Sequence, residues 1–314
     1  EWQFGTSLAY LKDLTNYWRN DFDWRAQEAK LNRFKQFRVP LAGIDLHFIH
    51  EQGIGPKPMP LLLSHGWPGS ILEFHKIIPM LTNPAAYGGD ANDAFTVVAP
   101  SLPGYTLSFK PNQPRFGAVE MAGVFATLMK DVLGYQKYAA QGGDWGAFVT
   151  SRLAYDHPEQ LHGIHLHLLG VRRDLTLADT GTDEEKQFIK DLQHFLKEET
   201  GYQAIMGTKP QTLAFALTDS PVGLASWIVE KFRSWSDCNG TIENAITRDE
   251  MLTNITLYWA TGAINSASWP YYARAHGPWP IPHGNRVDVP TAYAAFPTEI
   301  LRPPRSIAER FYNI

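Results

Sequence analysis

Cysteine is almost missing: Cys238 is the one thiol in 314 residues. An intrachain disulfide and any multi-cysteine zinc site are therefore excluded, which suits a reducing compartment. Positive charge is also short, with 28 Lys and Arg against 32 Asp and Glu and a net charge of -4. No excess remains to neutralise phosphates, so a general affinity for nucleic acid or anionic lipid is not expected. No stretch approaches the roughly 20 apolar residues that span a bilayer, and the opening EWQFGTSLAYLKDLTNYWRN lacks the order of a signal peptide. The expectation is a cytoplasmic protein. The chain begins without methionine, so its ends are not taken as native ends and an upstream membrane anchor stays open. Internal repeats and low-complexity segments are absent too.

What is present is apolar and aromatic: 44% hydrophobic and 13% aromatic residues, enough to bury a large core. Leu8, Leu11, Leu14, Tyr17 and Trp18 recur at helical spacing within residues 7–36, which predicts two or three short amphipathic helices. From Val39 the pattern changes, and GIDLHFIHE alternates Ile44, Leu46 and Phe48 with polar residues as a half-exposed strand does. The apolar runs at 60–65, 94–100 and 138–143 end in polar or turn residues and read as strands buried on both faces of a parallel sheet. Helical patterns at 71–81, 119–133 and 147–155 fall between and after them. The order predicts a doubly wound α/β sheet with right-handed crossovers.

A strand candidate at 163–170 precedes roughly 100 residues of helical pattern rich in Trp, Tyr and Phe, and strand character returns at 287–296. An insertion of that size is most economically a lid over the carboxyl ends of the strands, where ligands of open α/β sheets bind. The expected parts are an N-terminal helical meander (1–38), a first core part (39–170), a helical lid (171–276) and a second core part (277–314).

The stretch QGGDWGAF, residues 141–148, has the form of a nucleophile elbow, except that Asp144 holds the place serine takes in esterases. An aspartate before a helix is also an ordinary N-cap, so the motif alone leaves cap and nucleophile open. HGWPGS, residues 65–70, shifts the balance, because it follows an apolar strand at the position that supplies the second oxyanion donor. The backbone N–H groups of Trp67 and Trp145 would then converge on one oxygen, each such donor contributing roughly 3 to 4 kcal/mol in the transition state. His65 is expected to support the turn by hydrogen bonding rather than to act through its ring.

A carboxylate attacking an acyl carbon would give a reactive anhydride, whereas attack on a saturated carbon with a leaving group gives an ordinary ester. The substrate must therefore be an epoxide or an alkyl halide. Water activated by a base would hydrolyse the ester and restore Asp144.

YWRNDFDWRAQEAKLNRF, HGWPGSILEFHKIIPMLT, PSLPGYTLSF, QGGDWG, TKPQTLAFALTDSPVGLASWIVEKF and FPTE, in that order from Tyr17 to Glu299, resemble the microsomal-type epoxide hydrolases, a group that includes the juvenile-hormone epoxide hydrolases. The resemblance implies an α/β-hydrolase fold with an N-terminal meander and a helical lid, no cofactor and no metal. It also implies a small apolar epoxide as substrate, converted with water to a vicinal diol. Asp144 matches the family's nucleophile, Tyr202 one lid tyrosine, Tyr271 the other with Tyr272 as its adjacent rival, and Glu299 the acid that orients the catalytic histidine. Two phenols suit the reaction, since the ring opens only as its oxygen gains a proton.

The chain departs from the family at its end. The family's base histidine follows the acid by two to three dozen residues, no histidine lies beyond His283, and neither His276 nor His283 has the motif. The expectation is that the base lies past Ile314; a protein that truly ended there would be alkylated at Asp144 without turning over. His162, His165 and His167 alternate along one strand without an acidic or cysteine partner, and packing or hydrogen bonding is expected of them rather than metal binding. In PGYTLSF, Pro103 and Gly104 read as turn chemistry and Phe109 as a pocket wall. The rival functions are a haloalkane dehalogenase-like hydrolase, which would hold a halide with indole N–H groups, and a non-catalytic ligand-binding protein of the same fold. Homo-oligomerisation is left open.

Overall fold

A computed structural model describes residues 2–171 and 181–314. Two amphipathic helices, α1 (Leu8–Asn20) and α2 (Trp24–Leu31), open the chain, capped by the side chains of Ser7 and Asp23. Strands β1 (Gln36–Leu41) and β2 (Ile44–Glu51) follow as an antiparallel hairpin turned on Ala42 and Gly43, both at positive φ. The helical reading to residue 36 thus runs too far. QFRVPL is an edge strand with half its side chains exposed, which weakens its apolar signal.

The remaining strands are β3 (Met59–Ser64), β4 (Phe95–Pro100), β5 (Tyr138–Gly142), β6 (Leu161–Leu166), β7 (Val287–Tyr293) and β8 (Tyr312–Asn313). They form an eight-stranded sheet in the order β1-β2-β4-β3-β5-β6-β7-β8, antiparallel only at the first two pairings. The expected doubly wound, mostly parallel sheet is the one found. Burial on both faces explains the unbroken apolar runs: Leu62 and Val98 face one core, Leu61, Leu63, Val97 and Ala99 the other. The pattern at 71–81 resolves into a short 3-10 turn (Ile71–Phe74) and α3 (Ile77–Thr82). Helices α4 (Ala118–Thr127) and α5 (Trp145–Asp156) cover the larger core, with α4 running on into a π turn at Leu128–Val132.

Between β6 and β7 lie α6 (Asp183–His194), α7 (Gly201–Thr208), α8 (Pro210–Asp219), α9 (Pro221–Ser234), α10 (Arg248–Thr261) and α11 (Trp269–His276). The N-terminal helices pack on this insertion, Tyr17 donating to Asp249 at 2.9 Å and Tyr10 to Glu243 at 3.1 Å. Among the described residues no single helix is long and apolar enough to cross a membrane; α8 and α9 pass that test only together, bent by 118°. After β7, a four-residue helix α12 (Arg305–Ala308) leads to β8.

β3 has β4 on one side and β5 on the other, so the chain winds outward in both directions from β3. Such a switch point is where a crevice opens. The register pairs Ser64 with Gly142, which sets the loop after β3 and the elbow after β5 side by side.

Candidate active site

The elbow is built by close packing. A Cβ on Gly146 would lie 1.9 Å from the Ser64 carbonyl oxygen, so only glycine lets α5 start this near β3. Asp144 sits at φ 47° and ψ -124°, a conformation that costs a non-glycine residue about 1–3 kcal/mol and is held by the structure around it. Its side chain makes no capping hydrogen bond to α5. Asp144 thus occupies the N-cap position without a side-chain cap. Oδ1 of Asp144 instead accepts a 2.7 Å hydrogen bond from the backbone N–H of Trp67, across the switch point. Gly66 makes room, since a Cβ there would stand 2.4 Å from that same Oδ1.

The HGWPGS loop is fixed from below and above. Below, the Leu102 N–H donates to Nε2 of His65 at 3.1 Å, so the ring proton is on Nδ1 and donates to the Gly66 carbonyl at 3.1 Å. Burial drives the pKa of His65 down to about 4, with the Gly66 contact opposing. A neutral ring spent on two backbone groups is a structural support, as expected. Above, Asn254 and Tyr258 of α10 donate to the carbonyls of Pro68 and Gly69, each at 2.7 Å. Neither residue was singled out from the sequence, because a contact across nearly 190 positions leaves no local pattern.

Tyr202 on α7 and Tyr271 on α11 are both buried and meet with ring centroids 5.6 Å apart. The Trp67 indole organises them: Tyr202 stacks on it at 5.2 Å, Tyr271 meets it edge-on at 5.9 Å, and Tyr271 also stands 4.7 Å from Trp145. Tyr272 is 41% exposed and stacked on His276. Of the adjacent pair, Tyr271 is the one at the site. Its hydroxyl has no formed hydrogen bond among the described residues, although the Trp145 indole N–H leans toward it. Burial above all, then Tyr202 and Asp144, push its pKa well above the ordinary phenol value.

Glu299 stands in the turn after β7, where Oε1 accepts from the Ile300 N–H at 2.8 Å and Oε2 lies 3.5 Å from Nδ1 of His167. The His167 ring lies against Gly143 of the elbow, where a Cβ would come within 1.9 Å of Nε2. Of the three alternating histidines, His162 is exposed, His165 lines the cavity that His167 also lines, and the His167 ring lies against the elbow. Among the described residues no group of three or more His, Cys, Asp or Glu could hold a metal ion. His276 and His283 are exposed. Phe109 packs edge-on against Trp269 at 6.4 Å.

One further carboxyl was missed. Glu73 opens onto a cavity of about 980 Å³ along the sheet, also lined by His167 and Phe296. Burial first and the charge of Asp144 second raise its pKa to about 8, and a hydrogen bond from the Gly66 backbone opposes the rise. Because the side chain is accessible from the cavity, water there trims the effect of burial.

Residues 1–74 match the family described as "Epoxide hydrolase N terminus" and residues 59–212 the family described as "alpha/beta hydrolase fold". "Epoxide hydrolase 1" of Oryctolagus cuniculus is 40% identical, over 96% of this chain and 72% of its own length. "Juvenile hormone epoxide hydrolase 2" of Ctenocephalides felis is 36% identical, over 96% of this chain and 69% of its own. The crystal structure of juvenile hormone epoxide hydrolase from Bombyx mori superposes with a TM-score of 0.85 at 29% identity, covering 99% of this chain and 78% of that one.

Proposed function

The chain belongs to the epoxide hydrolase family and carries the α/β-hydrolase fold, and from that premise we propose that Asp144 opens an epoxide by covalent attack. The carboxylate attacks a ring carbon while the C–O bond breaks. The ring oxygen, gaining negative charge, takes a proton from the tyrosine pair, and the product is a hydroxyalkyl ester of Asp144. Water then adds to the ester carbonyl carbon. The oxygen that becomes negative is stabilised by the N–H of Trp67, which already donates to Oδ1 at 2.7 Å, and by the N–H of Trp145 at the start of α5. Collapse breaks the acyl C–O bond: one proton of the water goes to the leaving alkoxide, which departs as the vicinal diol, the other returns to the tyrosine that gave its own, and the carboxylate is restored. The role the resemblance gives Glu299 is to orient the histidine that activates this water.

The observation that carries this assignment is the convergence of the Asp144 carboxylate, an N–H aimed at it and two buried phenols around a single indole. A halide would need indole N–H groups facing it and has no use for a phenol pair, which favours the epoxide. Diol formation from styrene oxide by the protein and by Asp144→Ala tests the mechanism; activity that survives the substitution contradicts it.

A further inference from the structure

Gln203 follows Tyr202 on α7, and its amide bridges two side chains of unlike chemistry. Its Oε1 accepts from Nη2 of Arg274 at 2.9 Å, and its Nε2 donates to the Tyr202 hydroxyl oxygen at 2.7 Å. The orientation is not interchangeable. A guanidinium has donors only, so the carbonyl end of the amide must face Arg274 and the NH2 end must face the phenol. Tyr202 accepts at this contact, so its own proton is directed away from Gln203.

Arg274 is held for this task. It lies one turn after Tyr271 on α11, with its guanidinium 5.1 Å from the Trp145 ring centroid, 5.8 Å from that of Tyr271 and 5.7 Å from that of Trp279. The two phenols are therefore unequal: Tyr202 already accepts a formed hydrogen bond from an amide N–H backed by a guanidinium, whereas the Tyr271 hydroxyl lies among aromatic rings with the Trp145 indole N–H leaning toward it and no hydrogen bond formed among the described residues.

We propose that Arg274 and Gln203 form a positioning relay that makes Tyr202 the phenol that surrenders its proton to the opening ring, while Tyr271 donates a hydrogen bond and keeps its own. The inference rests on the epoxide assignment above. As the ring C–O bond breaks, the Tyr202 proton moves to the ring oxygen, and the charge lost from Asp144 on ester formation reappears on Tyr202. There the Gln203 N–H becomes a charge-assisted donor, backed by the guanidinium. The proton returns from the water that hydrolyses the ester. Burial and the neighbouring Tyr202 and Asp144, which raise the pKa of Tyr271, oppose a second phenolate beside the first. The other groups facing Tyr202 are Lys231, 5.0 Å from its ring centroid and paired with Glu199 and Glu230, and the phenol of Tyr105.

The test is a pH titration of protein carrying 13Cζ-tyrosine, with Tyr202→Phe and Tyr271→Phe to assign the two resonances, alongside the rate of Asp144 alkylation by styrene oxide. Tyr202 is expected to ionise before Tyr271. Gln203→Leu should move its ionisation up by about one pH unit and slow alkylation about tenfold, Gln203→Glu should move it further, and Arg274→Lys should retain the parent value. Gln203→Met, similar in length, repeats the measurement should the leucine variant misfold. Tyr202 titrating alike in the parent and in Gln203→Leu, or silent until the fold is lost, would overturn the relay. A titration that shifts in a protein styrene oxide never alkylates upholds the relay and defeats the epoxide assignment; alkylation with an unmoved titration does the reverse.

Discussion

The backbone N–H of Trp67 points at Oδ1 of Asp144 from 2.7 Å, although the two residues lie on different loops 77 positions apart. The pairing of Ser64 with Gly142 brings those loops together, and glycine at 66 and 146 lets them touch. Preorganised donors of this kind need no rearrangement when charge develops.

Gly66→Ala is the narrowest probe of that contact. Its methyl group would stand 2.4 Å from Oδ1 of Asp144, so the carboxylate must move. Displacements near 1 Å at a reacting group cost about 100-fold in rate. Stopped reactions with styrene oxide should show alkylation slowed by about that factor in a folded protein, and an unchanged rate would contradict the geometry.

Adjacent tyrosines should behave differently. Tyr271→Phe removes a buried hydroxyl at the site and is expected to slow ring opening by about 100-fold, the size expected for one lost hydrogen-bond donor to a developing oxyanion. Tyr272→Phe alters an exposed ring stacked on His276 and should leave the rate within about threefold. Single-turnover rates of the two variants decide between them.

Helix α10 of the insertion and the HGWPGS loop are joined at Pro68 and Gly69. Asn254→Ala and Tyr258→Phe each leave a buried carbonyl without its donor, which should lower unfolding stability by about 1–3 kcal/mol. Urea unfolding measures the loss. Alkylation should slow as well, because the same loop carries the Trp67 N–H.

Stability should respond to pH in two opposed ways. His65 and His47 are both held down to about 4 by burial. The unfolded chain protonates them first as pH falls, so their contribution is complete above about 6.5 and is lost toward about 4. Glu73, raised to about 8, binds its proton more readily when folded, so its effect is most favourable below the ordinary carboxyl range and declines as pH rises toward 8. Glu73→Gln should flatten the fall in melting temperature between pH 5 and pH 8.5. An equal fall in both proteins would show that Glu73 is solvated like a surface carboxyl.

Much of this was legible in order along the chain. Strands β3 to β5 announced themselves as short apolar runs, the pattern of strands covered on both faces, and Asp144 because an elbow needs small residues around it. β1 was hidden by its exposed edge position. The choice of Tyr271 over Tyr272 depended on which face of α11 meets Trp67, and Gln203, Arg274, Asn254 and Tyr258 act across packed elements, where sequence carries no spacing signal. Glu73 lies inside the HGWPGSILEFHKIIPMLT stretch, yet only the structure sets it beside Asp144.

The central claim concerns one covalent bond, and rapid acid quenching of the protein with styrene oxide, followed by peptide mass spectrometry, observes it directly. A single adduct of one epoxide mass on the peptide containing Asp144, absent in Asp144→Ala, is the predicted result. Steady diol formation with Asp144 unmodified at every quench time, or an adduct on another residue, would contradict it.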